Sequence, residues 1–399
     1  MLSNNQRRTL LEQIVEQLEL PQSAYEKASK RYDDIGAFIS EPSAACGFAK
    51  PHIFPQGSFR LGTAIRPVGR NDEYDLDLAC SLRECVSVAT HSQADVKRLV
   101  GEDLNAYRQA RGIQEPLGNK HRCWRLEYRD GLRFHMDVVP CIPAGQSQRD
   151  VFLERMIQNG LQQDLAGAVS ALAVNITDDR EPLFNAIAPD WPVSNPEGYA
   201  RWFESRMNVG LENLSVEKRS QIQALPMWAR KTPLQRAIQI LKRHRDSMFS
   251  SDPDVKPISV ILTTISARAY DGSTDIVSVL DTIIAAIVAF ALSDEHYCPN
   301  PVNPAENFAD RWTMPRYAHL NLKQNCRNWA LQLQSDFRML LSSQSAQQIS
   351  ETVKGRMSID LAEDKVTSQL GLSRPASAPS SRRVQVTESR PWRRDEPTD

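Results

Sequence analysis

The sequence predicts an α+β protein in which a small sheet is followed by a mostly helical second domain. Short segments that alternate apolar and polar residues occur between Phe54 and Pro140, which is typical of strands bounded by turns. After about Pro182 these segments give way to helical patterns separated by prolines. The length of 399 residues allows two packed cores, because a single core stops growing near about 250–300 residues.

The elements of the first half follow from their residue patterns. An amphipathic helix is predicted from Gln6 to Leu20, where apolar residues recur at helical spacing. The same spacing predicts a helix over residues 92–112. The predicted strands are YDLDLAC at 74–80, WRLEYRD at 124–130 and FHMDVV at 134–139. Together these elements predict a small sheet with helices beside it.

The clearest helix of the second half is TPLQRAIQILKRHRD at 232–246. Thr232 is a typical N-cap, and Pro233 suits the first helical position. From Ser373 onward the chain is rich in Ser, Pro and Arg and has few groups to bury, which predicts a disordered tail. We therefore divide the chain into a first domain at 1–181, a helical domain at 182–372 and a tail at 373–399.

Composition restricts the class of protein. The net charge of −1 lacks the basic excess of a general nucleic-acid binder. The seven cysteines form no CxxC pair, which favours a reducing cytoplasm over a disulfide framework. The longest apolar run, Ile283 to Leu292, is too short to cross a bilayer, so no membrane partner is expected.

Two aspartates of the predicted strand YDLDLAC share one face. Residues two apart in a strand point the same way, so Asp75 and Asp77 present both carboxylates to one side. Leu76 and Leu78 point to the other side. Two carboxylates this close repel unless a cation lies between them, and magnesium takes oxygen ligands of this kind. The pair therefore predicts a metal site.

A third carboxylate and an anion-holding turn complete the pattern. Asp137 lies on the predicted strand FHMDVV, and a neighbouring strand would bring it to the first two. Metal-assisted phosphoryl or nucleotidyl transfer often uses two ions roughly 3.5–4 Å apart, which normally need a third carboxylate. Upstream, Gly57 lets the backbone approach a phosphate and Ser58 adds a hydroxyl, so this turn is interpreted as a phosphate site.

These residues resemble the polymerase-β-like nucleotidyltransferases, which carry a Gly-Ser turn, then DxD, then a later Asp. Within that superfamily the sequence is most similar to the bacterial cGAS/DncV-like nucleotidyltransferases of anti-phage signalling, over nearly all of residues 1–372. The motifs that carry the resemblance are QGSFRLGTAIRP, EYDLDLAC, HMDVVP, LQRAIQILKRHRD, PISVILTTISARAY and NPVNPAENFADRW. The resemblance implies a polymerase-β-like catalytic core with a small mixed sheet and a helical domain that completes the nucleotide site.

The resemblance also implies roles for individual residues. Asp75, Asp77 and Asp137 would be catalytic and would hold two Mg²⁺ ions, for which Mn²⁺ can substitute. The implied nucleotide-binding residues are Gln56, Gly57, Ser58, Lys242 and Ser259. In NPVNPAENFADRW, Asn307 and Asp310 are the candidates for contact with a base. The alternative for that segment is a Pro-rich loop whose Asn caps the next helix.

Members of this family join nucleoside triphosphates into cyclic di- or trinucleotides and release pyrophosphate, and the product activates an effector. The resemblance therefore implies a cyclic oligonucleotide synthase with ATP as the expected substrate and GTP as the second candidate. The implied partners are a downstream effector, reached through the product, and an activating protein. Gating by DNA is not expected, because the sequence has no Cys/His cluster with zinc spacing and no basic excess.

Two other functions would use the same residues. A transferase that makes linear oligonucleotides or modifies RNA would share the three aspartates, but it usually needs a basic track for its polymer. A nucleotide-binding regulator without chemistry has no need of three carboxylates. The bases, the linkage and the ring size of a cyclic product depend on the shape of the pocket.

Overall fold

The structure is a computed structural model of the chain. It describes residues 1–69, 73–129, 133–207, 222–223, 225–226, 228, 230–294 and 297–372. The predicted disordered tail at 373–399 lies outside the described residues. Along the described part of the chain, no helix is both long and apolar enough to cross a bilayer.

Helices and strands alternate in the first half, and helices dominate the second. The α-helices are α1 Asn4–Leu18, α2 Gln22–Ile39, α3 Gly57–Leu61, α4 Gln93–Ala110, α5 Gln146–Gln158, α6 Gln163–Ser170, α7 Pro196–Arg206, α8 Pro233–Met248, α9 Ser259–Ala269, α10 Ile276–Leu292, α11 Leu322–Ser342, α12 Ala346–Met357 and α13 Glu363–Leu370. The strands are β1 Pro51–Gln56, β2 Tyr74–Leu82, β3 Gly118–Asn119, β4 Trp124–Tyr128, β5 Phe134–Pro143, β6 Val174–Ile176, β7 Val193–Ser194, β8 Pro299–Asn300 and β9 Asn303–Asn307. The predicted α+β class is confirmed.

Two helices predicted from the sequence begin at capping residues. The Ser92 hydroxyl accepts a hydrogen bond from the backbone N–H of Asp95 at the start of α4. Thr232 accepts one from the N–H of Gln235 at the start of α8 in the same way. In both helices the side chain of the third residue accepts from the backbone N–H of the cap, which satisfies a second donor. Pro233 fills the first position of α8, where its missing N–H removes no helical hydrogen bond.

A mixed sheet of seven strands is built around the pair β2 and β5. The order is β1-β2-β5-β4-β3, and β6 with β7 extends the sheet from the C-terminal part of β5. β2 and β5 run parallel, whereas the other neighbours are antiparallel. The register of the parallel pair places Asp77 directly beside Asp137 and Asp75 beside His135.

One face of this central pair is apolar. Leu76, Leu78, Met136 and Val138 are fully buried in a core that also contains side chains of α2 and α4. Because side chains alternate along a strand, the aspartates between them emerge on the opposite face. The packing of the apolar face therefore fixes where the carboxylates point.

The two largest of four hydrophobic clusters in the described part of the chain form its main cores. One lies between the sheet and the helices α2 and α4. The larger one unites the helical second half with α1, which packs against α8, α10 and α13. The first helix thus belongs by packing to the larger core, although it precedes the sheet in sequence. The domain boundary near residue 181 stays a prediction.

The mostly helical second half contains short strands that the sequence did not indicate. β7 joins the main sheet, and β8 with β9 forms a separate two-stranded hairpin. The sequence of β9 is NPAEN. A strand this short, polar and proline-containing lacks the apolar alternation on which strand prediction depends.

A buried polar network ties α8 to α11. Trp329 Nε1 donates to His244 Nδ1 over 3.2 Å, so the ring proton of His244 lies on Nε2. This Nε2 donates to Asp336 Oδ2 over 3.0 Å. Asp336 also accepts from Gln332 over 2.8 Å and lies 3.3 Å from Arg356. Burial acts to raise the pKa of the Asp336 carboxyl, but the hydrogen bonds from His244 and Gln332 outweigh burial and lower it.

We expect Asp336→Ala to lower the free energy of unfolding by about 1–3 kcal/mol, because it leaves the buried His244 Nε2–H without an acceptor. A carboxyl whose pKa is lower in the folded protein than in the unfolded chain stabilises the fold at pH values above its unfolded pKa of about 3.9. This stabilisation is lost as the pH falls from there through the folded pKa. Urea denaturation should therefore give a constant difference from wild type at neutral pH and a shrinking one below about pH 4.

The matched control is Asp360→Ala, which removes an exposed aspartate 3.5 Å from Lys354. Its effect should stay below about 0.5 kcal/mol, because exposed ion pairs contribute little. Equal losses in the two variants would contradict a stabilising role for the buried network.

Candidate active site

Three carboxylates meet on one face at the centre of the sheet. Asp75 and Asp77 lie on β2 and Asp137 lies on β5, and the parallel register brings them together. One oxygen atom of each side chain lies within 4.8 Å of those of the other two. The structure thus gathers the three residues that the sequence singled out as metal ligands.

The charge of this cluster suits a divalent cation. Burial, followed by the charges of Asp75 and Asp137, raises the pKa of Asp77 to about 8. Burial and the charge of Asp137 also raise the pKa of Asp75. Two unit charges about 4 Å apart interact by about 4 kcal/mol at an effective dielectric constant of about 20, so ionising all three groups is costly without a cation. Three oxygen ligands in one small volume fit Mg²⁺ or Mn²⁺.

Arg125 contacts the third carboxylate from the neighbouring strand. It stands on β4 directly opposite Asp137 in the antiparallel register. Its Nε donates to Oδ1 and its Nη2 donates to Oδ2, each over 2.7 Å. The hydrogen bond to Asp137 raises the pKa of the guanidinium group further. Arg125 is not recognisable as a site residue from the sequence, because the alternation of WRLEY predicts a strand but not its partner.

The Gly57-Ser58 pair lies at the junction of β1 and α3. Gly57 has a φ of +65°, and a Cβ at this position would collide with Asp77 Oδ2. Glycine is therefore required by the backbone conformation and by the approach of the carboxylate. The pair predicted as a turn forms the first residues of the short helix α3, where Ser58 lines the cavity described below.

Gln56 occupies the last position of β1. Its Nε2 donates to the carbonyl oxygen of Leu78 over 3.1 Å, which ties β1 to β2. The residue pairs with Asp77 in the strand register and lines the same cavity as Ser58. A contact with nucleotide stays a prediction for Gln56, and its visible role is to hold the two strands together.

A cavity of about 900 Å³ opens in front of Asp75 and Asp77. Residues of α3 and β2 line one side, and residues of α7, α8 and α9 line the other. Lys242 reaches it from α8, is 7% exposed and donates to the backbone carbonyl oxygen of Thr63 over 3.1 Å. Burial, and then the charge of Arg245, lowers the pKa of Lys242 to about 8. The two halves of the chain thus both supply walls, and α8 supplies a buried cation.

Ser259 lies in the same cavity as the first residue of α9. Its hydroxyl oxygen accepts a hydrogen bond from Arg245 Nη1 over 2.9 Å. Arg245 also donates to Asp246 Oδ1, which accepts from Lys256 as well. The sequence motif KRHRD contained Arg245 and Asp246, but its spacing did not indicate that both face the cavity. Ser259 and Lys242 therefore lie within a larger charged cluster on the helical side.

The NPVNPAENFADRW segment contributes to the cavity through other residues than those predicted. Asn300, Glu306 and Phe308 line it. Asn307 instead accepts two backbone hydrogen bonds, from the N–H of Cys298 over 2.8 Å and from that of Ala309 over 3.0 Å. Its side-chain oxygen thus stabilises the β8–β9 hairpin and the turn after it, and contact with a base stays a prediction for Asn307 and Asp310.

Comparisons with known proteins agree with this site. The family model described as "Cyclic GMP-AMP synthase DncV-like, nucleotidyltransferase domain" matches residues 51–140, which contain all three aspartates. A c-di-GMP synthase of Roseivirga ehrenbergii is 30% identical over 325 residues, covering 78% of this chain and 76% of that protein. The cyclic dinucleotide synthase CdnG of Bradyrhizobium diazoefficiens is 23% identical over 327 residues, covering 76% and 69% of the two chains.

The fold is shared with a solved structure as well. The structure of the Bradyrhizobium diazoefficiens CD-NTase CdnG in complex with GTP superposes with a TM-score of 0.61 at 18% sequence identity. The match covers 91% of this chain and 98% of that one. A mixed sheet joined to a helical domain is therefore the common architecture.

We expect Asp77→Asn to stabilise the metal-free protein, because it removes one carboxylate from a crowded cluster. With a pKa of about 8, Asp77 keeps a proton that the unfolded chain releases above about 3.9. Wild-type stability should therefore fall as the pH rises between these two values, and the advantage of the variant should grow over that window. Thermal unfolding with a chelator across this pH range measures the effect.

The control for this prediction is Asp150→Asn, a substitution of an exposed aspartate on α5. Its difference from wild type should not change across the same pH range. If Asp77→Asn were less stable than wild type at the alkaline end, carboxylate repulsion would not be the dominant effect at this position.

We expect Gly57→Ala to weaken Mn²⁺ binding, because the new methyl group would displace the Asp77 carboxylate. Gly112→Ala is the matched control, since Gly112 has a φ of +64° but an added methyl group there would meet no other atom within 4 Å. Both variants should lose about 1–2 kcal/mol from the left-handed backbone. Calorimetric titration with Mn²⁺ should separate them, and equal affinities would show that Gly57 is required only by the backbone.

Proposed function

The chain belongs to the bacterial cGAS/DncV-like nucleotidyltransferases, and on this premise we propose that it joins nucleoside triphosphates into a cyclic oligonucleotide with release of pyrophosphate. The observation that carries the proposal is the cluster of Asp75, Asp77 and Asp137 beside a cavity that also contains Lys242. A nucleotidyltransferase needs cation ligands at the reacting phosphate and positive charge at the leaving pyrophosphate. The aspartates would supply the cation ligands on one side of the cavity, and Lys242 would supply the positive charge on the other.

The similar proteins favour a ring of two nucleotides and the use of GTP. The Roseivirga ehrenbergii relative is named a c-di-GMP synthase, and the CdnG structure was solved in complex with GTP. We therefore propose a cyclic dinucleotide as product and include GTP with ATP among the substrates. A cavity of about 900 Å³ is within the range of known ligand pockets, about 300–1,000 Å³.

The catalytic roles follow from the positions of the side chains. Divalent ions bound by Asp75, Asp77 and Asp137 would supply Lewis acidity for the acceptor hydroxyl and for the α-phosphate of the donor. Asp137 is held by Arg125, so its carboxylate has a fixed direction before substrate arrives. Ser58, which lines the cavity, would bind the donor triphosphate, and Lys242 would offset the charge of the departing pyrophosphate.

The helical side would hold the rest of the nucleotide. Arg245 and Lys256 line the cavity beyond Lys242 and share the Asp246 carboxylate. Ser259 accepts from Arg245, so we propose that it acts with this arginine on the triphosphate rather than alone. After the first bond forms, the linear intermediate would be bound again with its free hydroxyl at the three aspartates. A second transfer would close the ring.

The proposed biological role is anti-phage signalling, in which the cyclic product activates a separate effector. We propose a cytoplasmic location, which the seven free cysteines favour. An activating partner protein is included in the proposal, and gating by DNA is not. These proposals rest on the family and on the composition of the chain.

We expect purified protein incubated with ATP, GTP, CTP, UTP and Mg²⁺ or Mn²⁺ to form a product that resists phosphatase. Resistance follows because a closed ring has no terminal phosphate. Chromatography with mass spectrometry should identify the bases and the ring size. The Asp75→Ala/Asp77→Ala protein should form no product, since the cation ligands are lost, while its unfolding midpoint without metal should equal or exceed that of wild type.

A ladder of phosphatase-sensitive products from the wild type would instead indicate a transferase that makes linear oligonucleotides. Nucleotide binding without any product, with or without candidate activators, would indicate a regulator. Loss of the fold in the double variant would indicate that the aspartate pair is structural.

A further inference from the structure

The Arg125–Asp137 pair differs from the other contacts of the carboxylate cluster. Both oxygens of Asp137 accept a guanidinium N–H at 2.7 Å, a two-pronged geometry that fixes the plane of the carboxylate. The Asp137 side chain is 14% exposed and that of Arg125 is 25% exposed. Solvent therefore competes only partly for these hydrogen bonds.

Asp75 and Asp77 have no comparable partner. Within the described residues, neither carboxylate makes a side-chain hydrogen bond or an ion pair, and the nearest cations act on them only over a longer distance. Two of the three ligands are thus free to turn toward a cation. The third is set in one orientation before any cation binds.

The strand register explains why Asp137 is the one that is held. Arg125 and Asp137 are directly opposed across β4 and β5, and Asp77 is beside Asp137 across β5 and β2. The three residues therefore lie in one row across the sheet, with Asp137 in the middle. Arg125 approaches Asp137 from the side away from Asp77, so the inward side of the carboxylate stays available.

Resting on the proposed function, we propose that Arg125 is a positioning residue that holds the Asp137 carboxylate in the orientation needed at the acceptor hydroxyl. Each carboxylate oxygen has two acceptor directions, and the guanidinium group uses one of them on each oxygen. The Cys123 thiol is also hydrogen-bonded to Asp137, and the acceptor direction that neither group uses remains for the cation. Without the arginine, the Asp137 carboxylate would remain in the cluster but would no longer be held in one orientation, because its side chain has rotamer freedom.

This role has a signature that a purely structural role lacks. Arg125 brings a positive charge close to the cation site, so removing it should not weaken cation binding and should strengthen it. The same removal should slow catalysis, because the carboxylate is no longer oriented. Cation affinity and turnover should therefore change in opposite directions.

The test compares wild type with Arg125→Gln, Arg125→Lys and the control Arg111→Gln. Arg111, which directly follows α4, makes a pair of the same geometry with Asp34 of α2, with Nε and Nη2 each 2.7 Å from a carboxylate oxygen. Mn²⁺ binding is measured by calorimetry on the nucleotide-free proteins. Turnover is measured at saturating Mn²⁺, and unfolding midpoints are measured without metal.

For Arg125→Gln we expect kcat to fall roughly 10- to 100-fold, as is usual when the support of a metal ligand is removed. Its Mn²⁺ affinity should be a few-fold tighter, because a nearby positive charge has been removed. Arg125→Lys keeps the charge but loses the planar fork, so its Mn²⁺ affinity should equal that of wild type while kcat stays low. Arg111→Gln should match wild type in both measurements.

Three results would overturn the proposal. The first is a kcat for Arg125→Gln within about twofold of wild type. The second is full recovery of kcat in Arg125→Lys, because charge alone would then suffice. The third is a joint loss of Mn²⁺ affinity, kcat and thermal stability, which would show that Arg125 only supports the sheet.

Failure of the proposed function would be seen separately. If wild type formed no nucleotide product, the comparison of Mn²⁺ affinities would still test Arg125. Tighter binding by Arg125→Gln with unchanged binding by Arg125→Lys would support its placement beside the cation site. Weaker binding by Arg125→Gln would contradict it.

Discussion

The parallel pairing of β2 with β5 is the interaction on which the site depends. It sets Asp77 beside Asp137, and Asp75 stands two residues before Asp77 on the same face. The opposite face of this pair is buried. A slip of one residue would turn the apolar side chains outward and the aspartates inward, so burial of the apolar face fixes the register of the carboxylates. The stability of the core and the geometry of the site are set by one register.

The charge arrangement of the site is unfavourable by itself, and the surrounding structure maintains it. Burial and mutual repulsion raise the pKa of two of the three carboxyls. Arg125 neutralises the third from outside the cluster. Lys242 lies across the cavity, where burial lowers its pKa. Each of these groups would be better solvated in the unfolded chain, which is typical of sites built to receive a charged ligand.

Polar contacts from α8 help to join the helical half to the sheet. Side chains of α8 donate hydrogen bonds to backbone carbonyl groups at the end of α3 and just after it, with Gln235 bonded to Leu61, Gln239 to Ala64 and Lys242 to Thr63. These donors follow helical spacing and are buried. Because the same segment continues from Gly57 and Ser58, α8 docks beside the side of the cavity that these two residues line. A shift of α8 would move Lys242 together with one wall of the pocket.

The sequence by itself determined the local features of this protein. The alternation in YDLDLAC and FHMDVV put three aspartates on strands, and the cap at Thr232 set the start of α8, because strand faces and helix starts are decided by neighbouring residues. Only the tertiary structure decided which strands pair. Strand pairing brings Arg125 into contact with Asp137. It also brings Asp77 so close to position 57 that a Cβ there would collide with its carboxylate. The convergence of Arg245 and Lys256 on the cavity depends on how the helices pack. These features join residues that are distant in sequence, and no local pattern encodes such contacts.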